Sequence, residues 1–372
     1  MTKMTKIAFI SSNGFAPWGG SEELWAQTAM RMSQEGFTVG VSIKGWTTES
    51  KQVGKLEELG CKIFRRHNDD SRLSRLMNRI NPKRNFAFLD KFNPDFVVIS
   101  QGGNGDGLSW MEECLDRQIP FVIISQAASE SLWPSDSYSE RLSRAYLQAK
   151  QSFFVSQANL ALTEKQVVIN LENAKVIANP FKVAYDIKVH YPQDTEKIKL
   201  ACVARPDLFA KGQDLLFEVL KMEKWKNRPI ELSLFGKGES EQSLRRLKEL
   251  WNLKNVNFCG YVDKVETIWE SHHALILPSR FEGLPIALVE AMLCARTCIV
   301  TDIGGNAELV EDGVSGFIAM APKVECIDEA LEKAWQKRDS WSEIGQNAAI
   351  RVRQKIPRDP IAVFADELKS LF

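Results

Sequence analysis

Two carboxylates and two cations carry the chemistry this sequence can do. Glu282 stands in the turn Phe281-Glu282-Gly283-Leu284-Pro285. Glu290 follows inside IALVEAML (286–293), a run with hydrocarbon on every helical face. A helix apolar all round is a buried helix, and a carboxylate there is costly unless something hydrogen-bonds it. A ligand with a pair of hydroxyls is a candidate partner. Pro285 falls at or near the first helical position. Gly283 allows backbone to approach a ligand closely. The helix start beyond them, with free N–H groups and a positive dipole end, is a seat for phosphate. Arg205 and Lys211 lie in ARPDLFAKGQDLL (204–216), after an apolar strand-like run. Together they can clamp a diphosphate, arginine as a fork and lysine as a point charge. Solvated surface charges are the default for such a pair, but the same expected sheet edge as Glu282 favours the clamp.

Three glycine-bearing turns surround these residues. Gly236 and Gly238 follow a strand-like run, yet a lone G-x-G is weak evidence; a turn bordering a nucleotide and a purely structural turn both explain it. In FCGYV (258–262) the backbone around Tyr261 and Val262 can cradle a base. Near the start, APWGGSEELW (16–25) pairs Gly19 with Gly20 ahead of Ser21, a good helix N-cap, with Glu22 and Glu23 in the first turn.

The elements that position these groups are short Val/Ile/Phe runs alternating with helical patterns. IAFIS (7–11), FTVGVSI (37–43), CKIFR (61–65), DFVVIS (95–100), FVIIS (121–125), SFFVS (152–156) and KVIAN (175–179) read as strands buried on both faces. Crossover helices fit between them, for example over 21–35 and 138–150. The segment 182–197, polar and punctuated by proline, reads as a linker. A second series follows with KLACVA (199–204), IELSLFG (230–236), NVNFCG (255–260), ALILPS (274–279) and CIVTDIG (298–304). The expected class is α/β: two Rossmann-like, doubly wound parallel-sheet domains, over 1–181 and 198–356. They would face a deep cleft lined by the carboxyl ends of their strands. Helical patterns break near Ile356–Pro360, and a last helix over about 357–372 can pack back on the first domain.

A chain of 372 residues with 48 basic and 48 acidic side chains suits two soluble domains and carries no global field for nucleic acid. Seven cysteines without C-x-x-C spacing suggest reduced core thiols in the cytoplasm. The apolar run at the start is shorter than a secretory core, and no window reaches the length of a membrane span. No D-x-D occurs, so the usual carboxylate pair for a nucleotide-bound metal is missing and no metal site is expected.

With these motifs assembled, the sequence resembles retaining glycosyltransferases of the GT-B architecture, specifically glycosyltransferase family four. The resemblance rests on Glu282-x7-Glu290 in FEGLPIALVEAM, GGNAELVEDGVSGF (304–317), Arg205 and Lys211, the FGKG and FCGYV turns, IANPF (177–181), and GGSE (19–22). It implies an enzyme of class EC 2.4 that moves a hexose-type sugar from a nucleotide-diphosphate sugar to an acceptor hydroxyl without metal. The nucleotide sugar, a UDP-sugar as first expectation, is a co-substrate, and no cofactor is implied. Arg205 and Lys211 would stabilise the leaving diphosphate with the amides of Gly283 and Leu284. Glu290 would receive the ribose hydroxyls, and Glu282 would contact the donor sugar. Gly20 would lie beneath the diphosphate in the first, acceptor-binding domain, with Gly19 in the same donor-binding turn, while Gly236, Tyr261 and Val262 would border the nucleotide. Relatives carry a histidine after a first-domain strand; here the strand ends give Gln101 and Gln126, and Gln126 is the candidate for the sugar contact.

The acceptor is open: a sugar, a lipid-linked molecule or another small molecule. Around residues 71–80, Leu73, Leu76, Met77 and Ile80 recur at helical spacing beside Arg72, Arg75 and Arg79. Such a helix either packs on its own domain, the favoured reading, or lies on the inner membrane face. Trp18, Trp46 and Trp133 sit in or near first-domain loops, where they can stack on an acceptor or pack on the rim. Two other classes compete: a non-catalytic nucleotide-sugar-binding subunit of the same fold, and a nucleotide-sugar epimerase. The epimerase lacks support, since no carboxylate and histidine are arranged for proton abstraction. Removing Glu290 is expected to weaken nucleotide binding and, by deleting an unpaired buried charge, to stabilise the empty protein.

Overall fold

The computed structural model describes residues 5–14, 17–66, 84–193 and 196–372. The chain divides into two compact units, Met1–Pro180 with Asp359–Phe372, and Phe181–Arg358. The basic segment 71–80 lies outside the described residues.

The first unit is built on a seven-stranded sheet. Its strands are β1 (Lys6–Ser11), β2 (Thr38–Lys44), β3 (Lys62–Arg66), β4 (Phe96–Gln101), β5 (Phe121–Ser125), β6 (Gln151–Phe154) and β7 (Ala174–Val176). The order is β3-β2-β1-β4-β5-β6-β7, and every pairing is parallel. Strand alternation explains why the runs are apolar throughout. Ile7 and Phe9 point into a core shared with Trp25 and Leu24 of the helix Gly20–Gln34, while Ala8 and Ile10 point into the opposite core with Met111 and Tyr146. The helix Pro360–Lys369 closes the first of these cores with Phe364, Ala365 and Leu368. Its start is set by Asp359, whose carboxylate accepts from the Ala362 N–H at 2.8 Å, with Pro360 in the first turn.

The helix after β1 begins two residues earlier than the expected Ser21 cap requires. Gly19 is the N-cap in extended backbone, and its carbonyl accepts from Glu22 N. Ser21 is already helical, and its hydroxyl donates to Glu22 Oε1 instead.

The second unit carries β8 (Ile198–Val203), β9 (Ile230–Phe235), β10 (Val256–Gly260), β11 (Ala274–Leu277), β12 (Thr297–Thr301) and β13 (Phe317–Ala319). They form a parallel sheet in the order β10-β9-β8-β11-β12-β13. That order reverses direction between β8 and β11, the switch point where ligands settle in open α/β sheets. β13 was not anticipated, although it opens the apolar run FIAMA (317–321). The segment read as a linker carries no helix or strand among its described residues, but it is strapped to the second unit. Tyr185 Oη donates to the carbonyls of Arg353 and Ile356, and Arg296 Nη2 donates to the His190 carbonyl. Side chains distant in sequence hold it, which local composition cannot reveal.

Among the described residues, no helix is long and apolar enough to cross a membrane.

Candidate functional site

Two loops at the carboxyl ends of β8 and β11 build the site in the second unit. The loop after β8 carries Arg205 and leads into the short helix Leu208–Lys211, capped by Asp207, whose Oδ1 accepts from Ala210 N at 3.1 Å. Gly212 then turns the chain with φ +60°; a Cβ there would lie 2.2 Å from the Pro278 carbonyl oxygen, so only glycine lets the two loops meet. The contact is stitched by backbone bonds from Arg280 N and Phe281 N to Ala210 O. It is clamped by Arg280, which forks onto both Asp214 oxygens at 2.7 Å and donates to Leu208 O.

Glu282 and Lys211 are brought together by this packing. Lys211 Nζ lies 2.7 Å from Glu282 Oε1, and Ser279 Oγ donates to the same oxygen at 2.8 Å. Glu282 is 6% exposed. The lysine is therefore an oriented, paired cation, and any anion that enters must share it with the carboxylate. Arg205 is the more open cation, its side chain 40% exposed, held by Asp207 Oδ2 at 2.8 and 3.1 Å.

The Glu282 loop rests on the loop after β12. Gly304 has φ +57°, and a Cβ there would come 2.5 Å from the carbonyl oxygens of both Glu282 and Gly283. Gly305 N donates to Gly283 O at 2.7 Å, and Thr301 Oγ1 to Ser279 O at 2.7 Å. Gly283 and Leu284 are buried in this layer. Pro285 takes the N-cap position rather than the first turn: both Leu288 N and Val289 N bond to its carbonyl, and the helix runs Ile286–Leu293.

Glu290 is 3% exposed on that helix, as an apolar-all-round segment demands. Its Oε1 accepts from the Lys182 N–H at 2.8 Å. The expectation that deleting it would stabilise the empty protein is thereby corrected: the charge is solvated by backbone, and its removal would strand a donor. Lys182 was missed by sequence reasoning, because its contact spans 108 residues and uses only its main chain. The same residue's ammonium lies 5.9 Å over the ring of Tyr261, which is exposed, with Val262 half-buried beside it.

Gly236 and Gly238 press on the Arg205 loop. A Cβ on Gly236 would lie 2.5 Å from Ala204 O, and one on Gly238 2.3 Å from Pro206 O. Their first duty is this close approach, which fixes the backbone on either side of Arg205.

In the first unit, Gly19 and Gly20 start the helix after β1, and Gln126 follows β5. Of the two glutamines considered, Gln101 is fully engaged: its amide donates to Asn104 O and Asp106 O, and its oxygen accepts from Tyr146 Oη. Gln126 is 5% exposed; its oxygen accepts from Asn179 Nδ2 at 2.8 Å, while its Nε2 has no partner. A buried donor left open in this way suits a ligand hydroxyl or a water. Of the histidines, His272 and His273 are buried under β8 and β11, with His273 Nδ1 accepting from Lys199 N.

Residues 186–351 match the family of glycosyl transferases group 1. The structure superposes on Anabaena HepE, solved with UDP and glucose, with a TM-score of 0.77 at 19% identity, covering 98% of this chain and 99% of that one. The fold is GT-B. The same GT-B arrangement is shared with sucrose-phosphate synthase of Thermosynechococcus elongatus, at TM-score 0.73 and 17% identity over 98% of both chains. By sequence, 45% of this GT-B chain aligns at 24% identity with 36% of the poly(ribitol-phosphate) alpha-N-acetylglucosaminyltransferase of Staphylococcus aureus. A second relative, an uncharacterised glycosyltransferase of Haemophilus influenzae, is 30% identical over 33% of this chain and 35% of its own length. The chain thus spans little more than a third of the length of the curated relatives it matches. The family match falls almost wholly within the second unit.

Proposed function

We propose that the protein is a glycosyltransferase that moves a sugar from a nucleotide-diphosphate sugar to an acceptor hydroxyl with retention of anomeric configuration. The observation that carries the reading is the joining of Lys211 to Glu282 across two loops at the sheet's switch point, with buried Glu290 on the helix that follows. Arg205 and Lys211 bring two positive charges to the edge where a diphosphate would leave. Each is held by a neighbouring carboxylate, so little reorganisation is needed when charge develops on the leaving group. Glu290 accepts the ribose hydroxyls beside its bond from Lys182, and Tyr261 and Val262 border the base. Glu282 meets the donor sugar, and Gln126 offers its open amide to a sugar hydroxyl. Catalysis on this reading is positioning and electrostatic stabilisation, with the departing phosphate taking the acceptor's proton. The cationic side chains do the work a nucleotide-bound metal does elsewhere, and no further cofactor is needed.

A UDP-sugar is the proposed donor, supported by the UDP and glucose bound in HepE. The test is transfer from UDP-glucose and UDP-N-acetylglucosamine in the presence of EDTA, with the anomeric proton coupling of the product read by NMR. Transfer with the donor's configuration kept is the expected result. Inversion, or transfer that EDTA abolishes, would overturn the mechanism.

A further inference from the structure

Lys182 stands where the two halves of the proposed nucleoside site meet. Its N–H donates to Glu290 Oε1 at 2.8 Å, and its ammonium lies 5.9 Å from the ring centroid of Tyr261. Glu290 lies on the helix Ile286–Leu293, and Tyr261 follows directly after β10. One residue therefore touches both the group assigned to the ribose and the group assigned to the base. All three belong to the second unit.

The backbone that carries this lysine is anchored around it. Val183 is buried, Tyr185 Oη donates to the carbonyls of Arg353 and Ile356, and Arg353 Nε donates back to Tyr185 O at 3.0 Å. The Phe181 ring packs 6.1 Å from that of Tyr185. The Lys182 side chain is exposed, and among the described residues no carboxylate pairs with its ammonium. Arg205 and Lys211, by contrast, each meet a carboxylate, at 2.8 and 2.7 Å. An exposed cation–π contact holds an ammonium only weakly. The charge is thus delivered to one place by a fixed main chain and stays available to an acceptor lying against the Tyr261 ring.

Nucleobases differ in what they show a cation. Uracil carries two carbonyl oxygens, whereas adenine carries none and presents an amino group on its edge. An ammonium has three donors and no acceptor. It gains a charge-assisted bond from a carbonyl oxygen, and it meets like-signed hydrogens on an amino group. A contact with the diphosphate or ribose would not discriminate, since uridine and adenosine diphosphates share both. We infer that Lys182 reads the base: its ammonium donates to a carbonyl oxygen of a base lying against Tyr261, and so favours a uracil over an adenine nucleotide. This role rests on the donor reading above, in which Glu290 takes the ribose and Tyr261 borders the base.

The test is calorimetric titration of wild type, Lys182→Met and Lys182→Arg with UDP and with ADP, EDTA present throughout. Both substitutions leave the main-chain N–H on Glu290 in place, so the strap is kept and only the side chain varies. The side chain is exposed, and both variants should fold as wild type does. The expected result is that wild type prefers UDP, that Lys182→Met weakens UDP about tenfold and ADP less than about threefold, and that Lys182→Arg keeps most of the preference. Equal losses for the two nucleotides overturn the inference, because they mark a charge acting on the shared diphosphate or ribose. So does UDP affinity indifferent to Lys182→Met, or ADP bound by wild type as tightly as UDP. In each of these cases the donor reading stands, since nucleotide still binds. Failure of both nucleotides to bind wild type overturns the donor reading, and the role of Lys182 with it.

Discussion

Replacing Lys211 by Met probes the pair on which the donor site is built. The substitution keeps the hydrocarbon stem and deletes the ammonium, leaving Glu282 with the Ser279 hydroxyl at 2.8 Å. Removing one partner of a fully buried ion pair costs about 3–5 kcal/mol. Here the lysine side chain is 20% exposed and the glutamate 7%, so water relieves part of the stranded charge. An expected loss of about 2–3 kcal/mol follows, within reach of a charge-assisted hydrogen bond's worth. For a unit of this size that corresponds to a drop of roughly 4–12 °C in Tm. Glu282→Gln alone should cost only about 1 kcal/mol, because the freed lysine retains access to water. The double variant should recover most of the Lys211→Met loss, giving a coupling of at least about 1.5 kcal/mol. The assay is thermal and denaturant unfolding of all four proteins, with turnover of the donor alongside. Lys211→Met should reduce kcat more than donor affinity, the pattern of a group that acts on the leaving diphosphate. Additive single losses, or a loss confined to donor affinity, would refute the reasoning.

Three further outcomes are expected. Glu290→Ala should lower stability by about 1–3 kcal/mol, since it strands the Lys182 N–H, and should weaken UDP about 10- to 100-fold if the ribose role holds; calorimetry and unfolding read both. Gly304→Ala should displace the Glu282 loop, because its Cβ would collide with two backbone carbonyls, and cost more than about 1 kcal/mol with turnover falling more than overall fold content; an unaltered Tm and kcat would contradict the loop support. Burial pushes the His272 imidazole below its usual value of 6.5. The neutral form is thus favoured in the fold, so its contribution is present above about pH 6.5 and lost as pH falls through the folded value. Tm should drop between about pH 7 and 5, and His272→Gln should flatten that slope.

Much of the fold was legible because parallel strands buried on both faces advertise themselves as uninterrupted apolar runs, as in β4 and β5. β13 was not read from the sequence, whereas β7, equally three residues long, was. In the site, Glu290 stood out because a charge in an apolar helix is a local anomaly. Lys182, its partner, did not, since a main-chain N–H carries no residue signature. The Lys211–Glu282 bond joins loops 71 residues apart, and only the sheet order, with β8 beside β11, brings them together. Gln101 and Gln126 read alike in the sequence and differ through their neighbours: Tyr146 and the Asn104–Asp106 turn engage the first. Gly304 ends the strand-like run CIVTDIG in the sequence, and its close approach to Glu282 and Gly283 is visible only in the fold.

The most direct test of the central claim is calorimetric titration of the metal-free protein with UDP-, GDP- and ADP-sugars, with EDTA throughout, in wild type and Glu290→Gln. The account predicts one tight nucleotide-sugar partner, a UDP-sugar, whose affinity falls about tenfold or more in the variant. Absence of binding by all of them, or identical affinity in the two proteins, would contradict it.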